Sequence, residues 1–327
     1  MANEPVAVAS ARVLTPQGVS GELYHEGRQY AFAYTGTTPD VAVSLTMPVR
    51  RSPYTSSSEL LPIFQQSLPE GYVLEQLRLR LRLVKLTQLD PMMLLAITGQ
   101  SGTIGRLAVD APAVDRLLQR SREPERGERL DEILAWDGAE DLFTELVDRK
   151  PLGFEDMATL MGLGTAQKYQ GSYERLTRVI GNNCLAEQVR PALAQLFDMV
   201  VLCVIVGNGD AHLKNFGLLY THPASDDARM APAYDIVNTT AYLPNDTLAL
   251  TLGGSKSFLA ARQHLLEFAD RCQVDDPRER IRQLLEAAHQ QCLQHADLLV
   301  EVPQVRDALQ RDIRRMEPGF SQPLRAV

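Results

Sequence analysis

The sequence predicts an α+β protein in which a small β-rich N-terminal domain is followed by a mainly helical second half. Strand-forming residues alternate with polar ones in much of the first 50 positions, whereas apolar residues recur every three or four positions after Gly153. A charge-dense stretch with Pro and Gly, residues 120–132, separates the two patterns. We therefore expect one domain at 1–110, a charged linker and connecting helix at 111–150, and a helical domain at 151–327.

The first elements are predicted from turn signals and alternation. The run GELYHEGRQYAFAY, residues 21–34, has a Glu-Gly pair at its centre, which is typical of a β-hairpin. A further strand is expected over Val41–Met47. Short helices follow, with Pro62 and Pro69 at their entrances. The segment Leu77–Lys85 fits an edge strand and a helix equally well on pattern alone.

The remaining elements are predominantly helical. Residues 94–109 predict a helix end, a glycine-rich turn and a strand that completes the first sheet. Residues 131–150 predict a helix that leads into the second half. Beyond Gly153 six segments carry helical spacing, and strand-like pieces are expected only between Phe216 and Leu252.

Composition excludes several classes of protein. With 33 basic and 41 acidic residues the net charge is -8, which argues against broad wrapping of nucleic acid because a basic face supplies most of that affinity. The four cysteines form no C-x-x-C pair, so neither a disulfide framework nor a zinc knuckle is indicated. No export signal is apparent, and the apolar run at 199–206 is too short for a bilayer. We expect a cytoplasmic protein with no membrane partner.

The chemically most informative stretch is VIVGNGDAHLKNFGLLY, residues 204–220, where a polar loop follows an apolar helix. Asp210 and Asn215 have the D-x-x-x-x-N spacing of a protein-kinase catalytic loop, in which Asp accepts the substrate hydroxyl proton and Asn holds Mg²⁺. Lys214 could contact a phosphate, and Asp235 could be the second carboxylate ligand of the metal.

Other interpretations of these residues remain open on the pattern alone. Asp and Asn are common turn formers and helix caps, so their spacing by itself does not decide. His212 could be a metal ligand, but no second His or Cys stands at ligand spacing. A histidine that packs within the loop and is hydrogen-bonded to its surroundings is the stronger interpretation.

Motifs in both halves give the chain a resemblance to the HipA-type serine/threonine kinases, the toxins of bacterial HipB-HipA toxin-antitoxin modules. The N-terminal motifs are GELYHEGRQYAFAY, VSLTMPV at 43–49, FQQSLPEGY at 64–72 and LLAITGQSGTIGRL at 94–107. The C-terminal motifs are LGFEDMATLMG at 152–162, KYQGSYE at 168–174, GNGDAHLKNF at 207–216 and AYDIVNTT at 233–240. The resemblance implies a HipA-type N-terminal domain and a kinase-like C-lobe.

The resemblance also implies site residues, cofactors and partners. Asp210 would be the catalytic aspartate, with His212 and Lys214 beside it in the catalytic loop. Asn215 and Asp235 would hold Mg²⁺ and, through it, ATP. The implied acceptor is a protein Ser/Thr hydroxyl, with aminoacyl-tRNA synthetases as the known type of target. The implied partner is a HipB-like helix-turn-helix antitoxin, through which alone the chain would meet DNA.

The sequence departs from the family where the upper lobe should lie. HipA relatives carry an S-G-x-Q-P-K segment and a lysine-bearing strand that grip the phosphates, but here the flanks of that lobe meet between residues 150 and 151. The lysines are Lys85, Lys150, Lys168, Lys214 and Lys256. None is expected in a β-strand between Gly127 and Gly153, and the strand-like setting of Lys85 is interpreted as coincidence.

Two glycine-rich segments could in principle cradle phosphate instead, and a turn is the favoured interpretation of both. They are TGQSGTIG, with Gly99, Gly102 and Gly105, and MGLGTAQK, with Gly162 and Gly164. We expect a kinase with impaired activity, or a pseudokinase. The alternative is a non-catalytic HipA-derived module that binds a HipB-like antitoxin and modulates its binding to the operator.

Overall fold

The structure, a computed structural model, describes residues 8–80, 90–101, 104–112, 146–147, 150–318 and 320. They form two compact units: the first comprises the chain up to Gln167 together with Leu218–Asp227, and the second comprises Lys168–Gly217 together with the chain from Ala228 onward. A sheet dominates the first unit and helices dominate the second, which confirms the α+β class. The predicted linker at 111–150 lies largely outside the described residues, so the domain boundaries stay a prediction.

The first unit is built on a five-stranded antiparallel sheet in the order β4-β3-β2-β1-β5. The strands are β1 Ser10–Thr15, β2 Gly18–Glu26, β3 Gln29–Tyr34, β4 Tyr54–Ser56 and β5 Ala108–Asp110. Glu26 pairs with Gln29 across the turn between β2 and β3, so the predicted hairpin is confirmed. β5 pairs with β1, as expected of the strand after the glycine-rich turn.

Among the described residues, three helices contribute apolar side chains to the core on this sheet: α1 Pro62–Gln65, α2 Gly71–Arg80 and α3 Pro91–Ser101. α1 begins at Pro62 as predicted, since proline lacks the N–H that would be unsatisfied there. The core includes Phe32 and Phe64, whose ring centroids are 5.5 Å apart. α2 makes the first part of the ambiguous segment helical, and its end with Lys85 lies outside the described residues.

The strand predicted over Val41–Met47 is wrong. Pro39–Val41 form a 3₁₀ turn, and no strand follows before β4. Side chains satisfy the backbone of this segment: the Val43 N–H donates to the Tyr34 hydroxyl (3.1 Å), and the Ala42 carbonyl accepts from Arg106 (3.0 Å). Because its polar groups find these partners, the segment can be buried without a neighbouring strand.

Strands also form near residue 150, where a helix was expected. β6 Leu146–Val147 and β7 Lys150–Pro151 pair antiparallel, so the predicted helix does not continue to 150 and Lys150 does lie in a strand. β8 Gly153–Asp156 neighbours β9 Gly217–Tyr220. All residues of β8 and β9 are buried, so neither shows the alternation by which half-buried strands are recognised. A short helix, α4 Met157–Leu160, follows β8.

The second unit is a bundle of helices, as predicted. Its elements are α5 Tyr173–Asn183, α6 Ala186–Val206, β10 Arg229–Met230, α7 Phe258–Arg271, α8 Pro277–Gln294, α9 Ala296–Glu301 and α10 Pro303–Met316. α6 is central and packs against α5, α7, α8 and α10. Among the described residues it is the one helix long and apolar enough to cross a bilayer, and its packing against four neighbours accounts for that composition.

Candidate functional site

The candidate site lies in the second unit, where the chain leaves α6. Asn208, fully buried just after the helix, links the two acidic segments of the site. Its side-chain oxygen accepts from the Asp210 N–H (3.0 Å), and its side-chain nitrogen donates to the Asp235 carbonyl (3.4 Å). Sequence reasoning assigned no role to Asn208, although it lies within the GNGDAHLKNF motif.

The two residues predicted to hold metal are in direct contact. Asn215 is buried in a 3₁₀ turn, and its Nδ2 donates to Asp235 Oδ2 over 2.7 Å. Asp235 has a φ of 54°, a left-handed conformation that is unfavourable for a residue other than glycine and is found where the surroundings hold it. Asn208 and Asn215 supply that restraint, and the Asp235 side chain remains exposed to solvent.

Asp210, the predicted catalytic residue, is half-buried beside an aromatic neighbour. The Tyr169 hydroxyl donates to Asp210 Oδ1 (2.8 Å), and the Tyr169 ring meets the His212 ring edge-on with centroids 5.0 Å apart. The His212 N–H donates to the Asp210 carbonyl (2.7 Å). Tyr169 is a second residue that sequence reasoning missed, although KYQGSYE was identified as a motif.

His212 is buried, and charged groups of both signs act on its imidazole. Burial lowers the pKa of His212, Lys168 and Lys214 lower it further, and the charges of Asp210 and Asp235 oppose them. Both carboxylates therefore act on one imidazole. Within the described ranges His212 Nδ1 has no hydrogen-bond partner, and no group of three His, Cys, Asp or Glu residues could hold a metal. The expectation that the His212 ring is hydrogen-bonded to its surroundings is not met at Nδ1, and the packing interpretation stays a prediction.

The rest of the loop is held by its backbone. Lys214 lies in the same 3₁₀ turn as Asn215, and its carbonyl accepts from the Tyr234 hydroxyl (2.6 Å). The buried Tyr173 hydroxyl donates to the Ala211 carbonyl (3.0 Å). The Leu213 N–H donates to the Lys168 carbonyl (3.0 Å), so the KYQGSYE segment braces the loop on one side.

The glycine-rich segments lie in the first unit and behave as turn and packing elements. Gly105 and Gly162 have positive φ, and Gly99 packs against Val109 so closely that a Cβ would overlap it. Gly164 lies against the side chain of Gln65. Gly102 is outside the described residues. Gly105 and Gly162 agree with the favoured interpretation as turns, whereas Gly99 lies within α3.

The arrangement brings Asp210, Asn215 and Asp235 into one hydrogen-bonded loop system. An amide oxygen and a carboxylate are the hard ligands that Mg²⁺ prefers, and Mg²⁺ is usually held by one or two carboxylates, with water and substrate phosphates completing its shell. A third protein ligand is therefore not required. The other carboxylate, Asp210, is then not needed as a metal ligand and could accept a proton from a hydroxyl.

Comparisons with known proteins agree on the family. The domain model described as the HipA N-terminal domain matches residues 11–110, and that described as the HipA-like C-terminal domain matches residues 129–296. A chain of the Shewanella oneidensis MR-1 toxin-antitoxin complex of HipA, HipB and operator DNA superposes with a TM-score of 0.64 and 14% identity. That match covers 94% of this chain and 97% of that one, and it supports the fold alone.

Curated relatives match over shorter segments. Y4dM of Sinorhizobium fredii, whose name assigns it provisionally to the kinases, is 32% identical over 146 residues, which are 41% of this chain. A Haemophilus influenzae protein with a similarly provisional kinase name is 30% identical over 83 residues, or 24% of this chain. The matched segments span only 34% and 22% of those two relatives. The two domain models together cover most of the sequence, and the chain therefore belongs to the HipA family.

Proposed function

We propose that this protein is a HipA-type phosphotransferase relative that retains the catalytic and metal-binding half of its site and binds Mg-ATP weakly. The observation that carries the proposal is the 2.7 Å hydrogen bond between Asn215 and Asp235, with Asp210 held beside them through Asn208. The kinase names of the relatives support the same class of activity.

In this proposal each residue of the loop has a distinct role. Asp210 accepts the proton of the acceptor hydroxyl, a protein Ser or Thr. Asn215 and Asp235 hold Mg²⁺, which when bound would neutralise charge on the nucleotide phosphates. Lys214 lies in the same turn as Asn215 and supplies positive charge near the nucleotide phosphates. An aminoacyl-tRNA synthetase as acceptor, and a cytoplasmic location, rest on the family resemblance.

Weak nucleotide binding is expected because the gripping residues are missing from the sequence. No S-G-x-Q-P-K segment is present, and phosphoryl transfer depends on positioning as well as on charge. Lys150 does lie in a strand, but its two-residue strand pairs only with Leu146–Val147 among the described residues. The nucleotide would therefore be held chiefly through Mg²⁺.

The proposal is tested by thermal unfolding and phosphate transfer with millimolar Mg-ATP. We expect a small rise in melting temperature, since a ligand stabilises only in proportion to its binding. We also expect slow autophosphorylation that Asp210→Asn abolishes, with the exposed Asp275→Asn as the matched control. A large thermal shift would contradict weak binding. Transfer that survives Asp210→Asn would contradict the assigned base.

A second candidate function is a non-catalytic module that binds a HipB-like helix-turn-helix antitoxin and alters its binding to the operator. The match to the HipA N-terminal domain over residues 11–110, and the superposition on a chain of a HipA, HipB and operator DNA complex, support it. Because the net charge is -8, contact with DNA would pass through the antitoxin.

Co-expression with a helix-turn-helix protein encoded beside this gene distinguishes the two functions. The module predicts co-purification that Asp210→Ala leaves unchanged, and retention on operator DNA only when the partner is present. A monomer that fails to bind such a protein at micromolar concentration would contradict the module and leave the phosphotransferase proposal standing.

A further inference from the structure

Asp312, on α10, is a fully buried carboxylate outside residues 129–296 that the HipA-like C-terminal model matches. It accepts hydrogen bonds from the Thr240 hydroxyl, from Arg311 Nε (3.0 Å) and from Arg315. Burying a carboxylate is costly unless it is paired and hydrogen-bonded, and an apolar residue at such a position is often at least as stabilising. Stability alone therefore does not explain why this position carries a carboxylate, and its contacts indicate another role.

Thr240 ends a short segment, residues 238–240, that grips the end of α6. Three side-chain contacts join this segment to residues 206–209. They are Asn238 Nδ2 to the Val206 carbonyl (2.6 Å), Thr239 Oγ1 to the Gly207 carbonyl (3.2 Å), and the Gly209 N–H to Thr239 Oγ1 (2.8 Å). Residues 206–209 immediately precede Asp210, and residues 238–240 follow Asp235 closely. This junction therefore fixes where the two carboxylates lie relative to each other.

Gly207 shows how tightly Asp312 is applied to that junction. Gly207 has a φ of 67°, and a Cβ on it would overlap the side chains of both Asp312 and Thr240. The carboxylate thus packs directly on the turn that ends α6. An anion is disfavoured at the C-terminal end of a helix by the helix dipole, and Arg311 and Arg315 compensate for that charge.

We propose that Asp312 is a positioning residue of the site: through Thr240 it clamps residues 238–240 onto residues 206–209 and so sets the placement of Asp210 and Asp235. The proposal rests on the proposed function for its metal. It makes α10 a part of the site, because the clamp is formed by a side chain of that helix.

The test uses the full chain carrying Asp312→Asn or Thr240→Val, with Asp198→Asn as the matched control. Asp198 on α6 forms an ion pair with Arg280 on α8. Asp198→Asn therefore removes an ion pair that lies away from the loop. Hydrogen exchange of amides 207–210 is measured without metal, and Mn²⁺ affinity is measured by electron paramagnetic resonance without nucleotide.

We expect both clamp variants to speed exchange at 207–210 and to weaken Mn²⁺ binding by about tenfold, the effect of losing one hydrogen bond to a charged group. Asp198→Asn should change neither, even where its melting temperature falls equally. Equal effects of Asp312→Asn and Asp198→Asn on the loop would overturn the proposal. If Asp312→Asn does not fold, Thr240→Val decides. Absence of Mn²⁺ binding by the unaltered protein would sink the proposed function, while exchange would still decide the role of Asp312.

Discussion

Glu155 on β8 offers a quantitative test of the packing of the first unit. Its buried carboxylate accepts from the Ser44 hydroxyl (2.7 Å), the Leu45 N–H (2.7 Å) and the Tyr220 hydroxyl (2.8 Å). Burial nevertheless raises the pKa of Glu155 from 4.5 to about 7, because desolvation outweighs these bonds and the charge of Asp156 adds to it.

The shift in this pKa fixes the sign and size of a pH effect. Between pH 4.5 and about 7, the folded protein keeps the Glu155 proton that the unfolded chain has released. Protonated Glu155 therefore contributes stability that is fully present below pH 4.5 and is lost as the pH rises through about 7. At about 1.4 kcal/mol per pH unit, the loss is about 3 kcal/mol.

Glu155→Gln removes the titration while keeping the shape of the side chain. The amide oxygen can accept from Leu45 and Tyr220, and the amide N–H can donate to the Ser44 hydroxyl. The free energy of unfolding of the variant, minus that of the unaltered protein, should therefore rise by about 3 kcal/mol from pH 4.5 to pH 8.

The assay is urea unfolding of both proteins across that pH range, with hydrogen exchange at residues 153–156 to report on the first unit. The difference between the two proteins cancels the other titrating groups. Glu187→Gln, at an exposed position, is the matched control. A difference between Glu155→Gln and the unaltered protein that stays constant with pH would refute the reasoning.

Two further predictions concern buried groups. Gly153→Ala should destabilise the first unit by about 1–3 kcal/mol in urea unfolding, because a Cβ there would overlap the Tyr220 ring. Gly181→Ala on α5, where the added methyl meets open space, should not destabilise the protein, and equal losses would contradict the packing argument. Burial raises the pKa of Cys203 and Cys272 to about 12, so both thiols should react with Ellman's reagent at pH 8 only after unfolding. Rapid labelling of either thiol in the folded protein would contradict the burial of that side chain.

Features that depend on neighbouring residues could be predicted from the sequence. The β2–β3 hairpin follows from alternation around Glu26-Gly27, and α1 begins at Pro62 because proline suits a first helical position. The loop spacing and the resemblance to HipA kinases predict metal-ligand roles for Asn215 and Asp235 one residue at a time; the hydrogen bond between the two side chains is a finding of the structure.

Features that depend on distant partners could not be predicted in the same way. Val41–Met47 has the composition of a strand, yet the Tyr34 hydroxyl and, from far along the chain, Arg106 and Glu155 satisfy its backbone. β8 has no period-two signal because it is buried throughout. Asp312 lies 72 residues from Thr240, and no local pattern reports such a contact.

The most direct measurement of the central claim is calorimetric titration of the full chain with ATP, with and without Mg²⁺. We predict a Kd in the millimolar range or weaker, about 4 kcal/mol of binding free energy, that depends on Mg²⁺ and loses that dependence in Asp235→Asn. A micromolar Kd, or binding indifferent to both Mg²⁺ and Asp235, would show that the nucleotide is gripped by residues other than those assigned here.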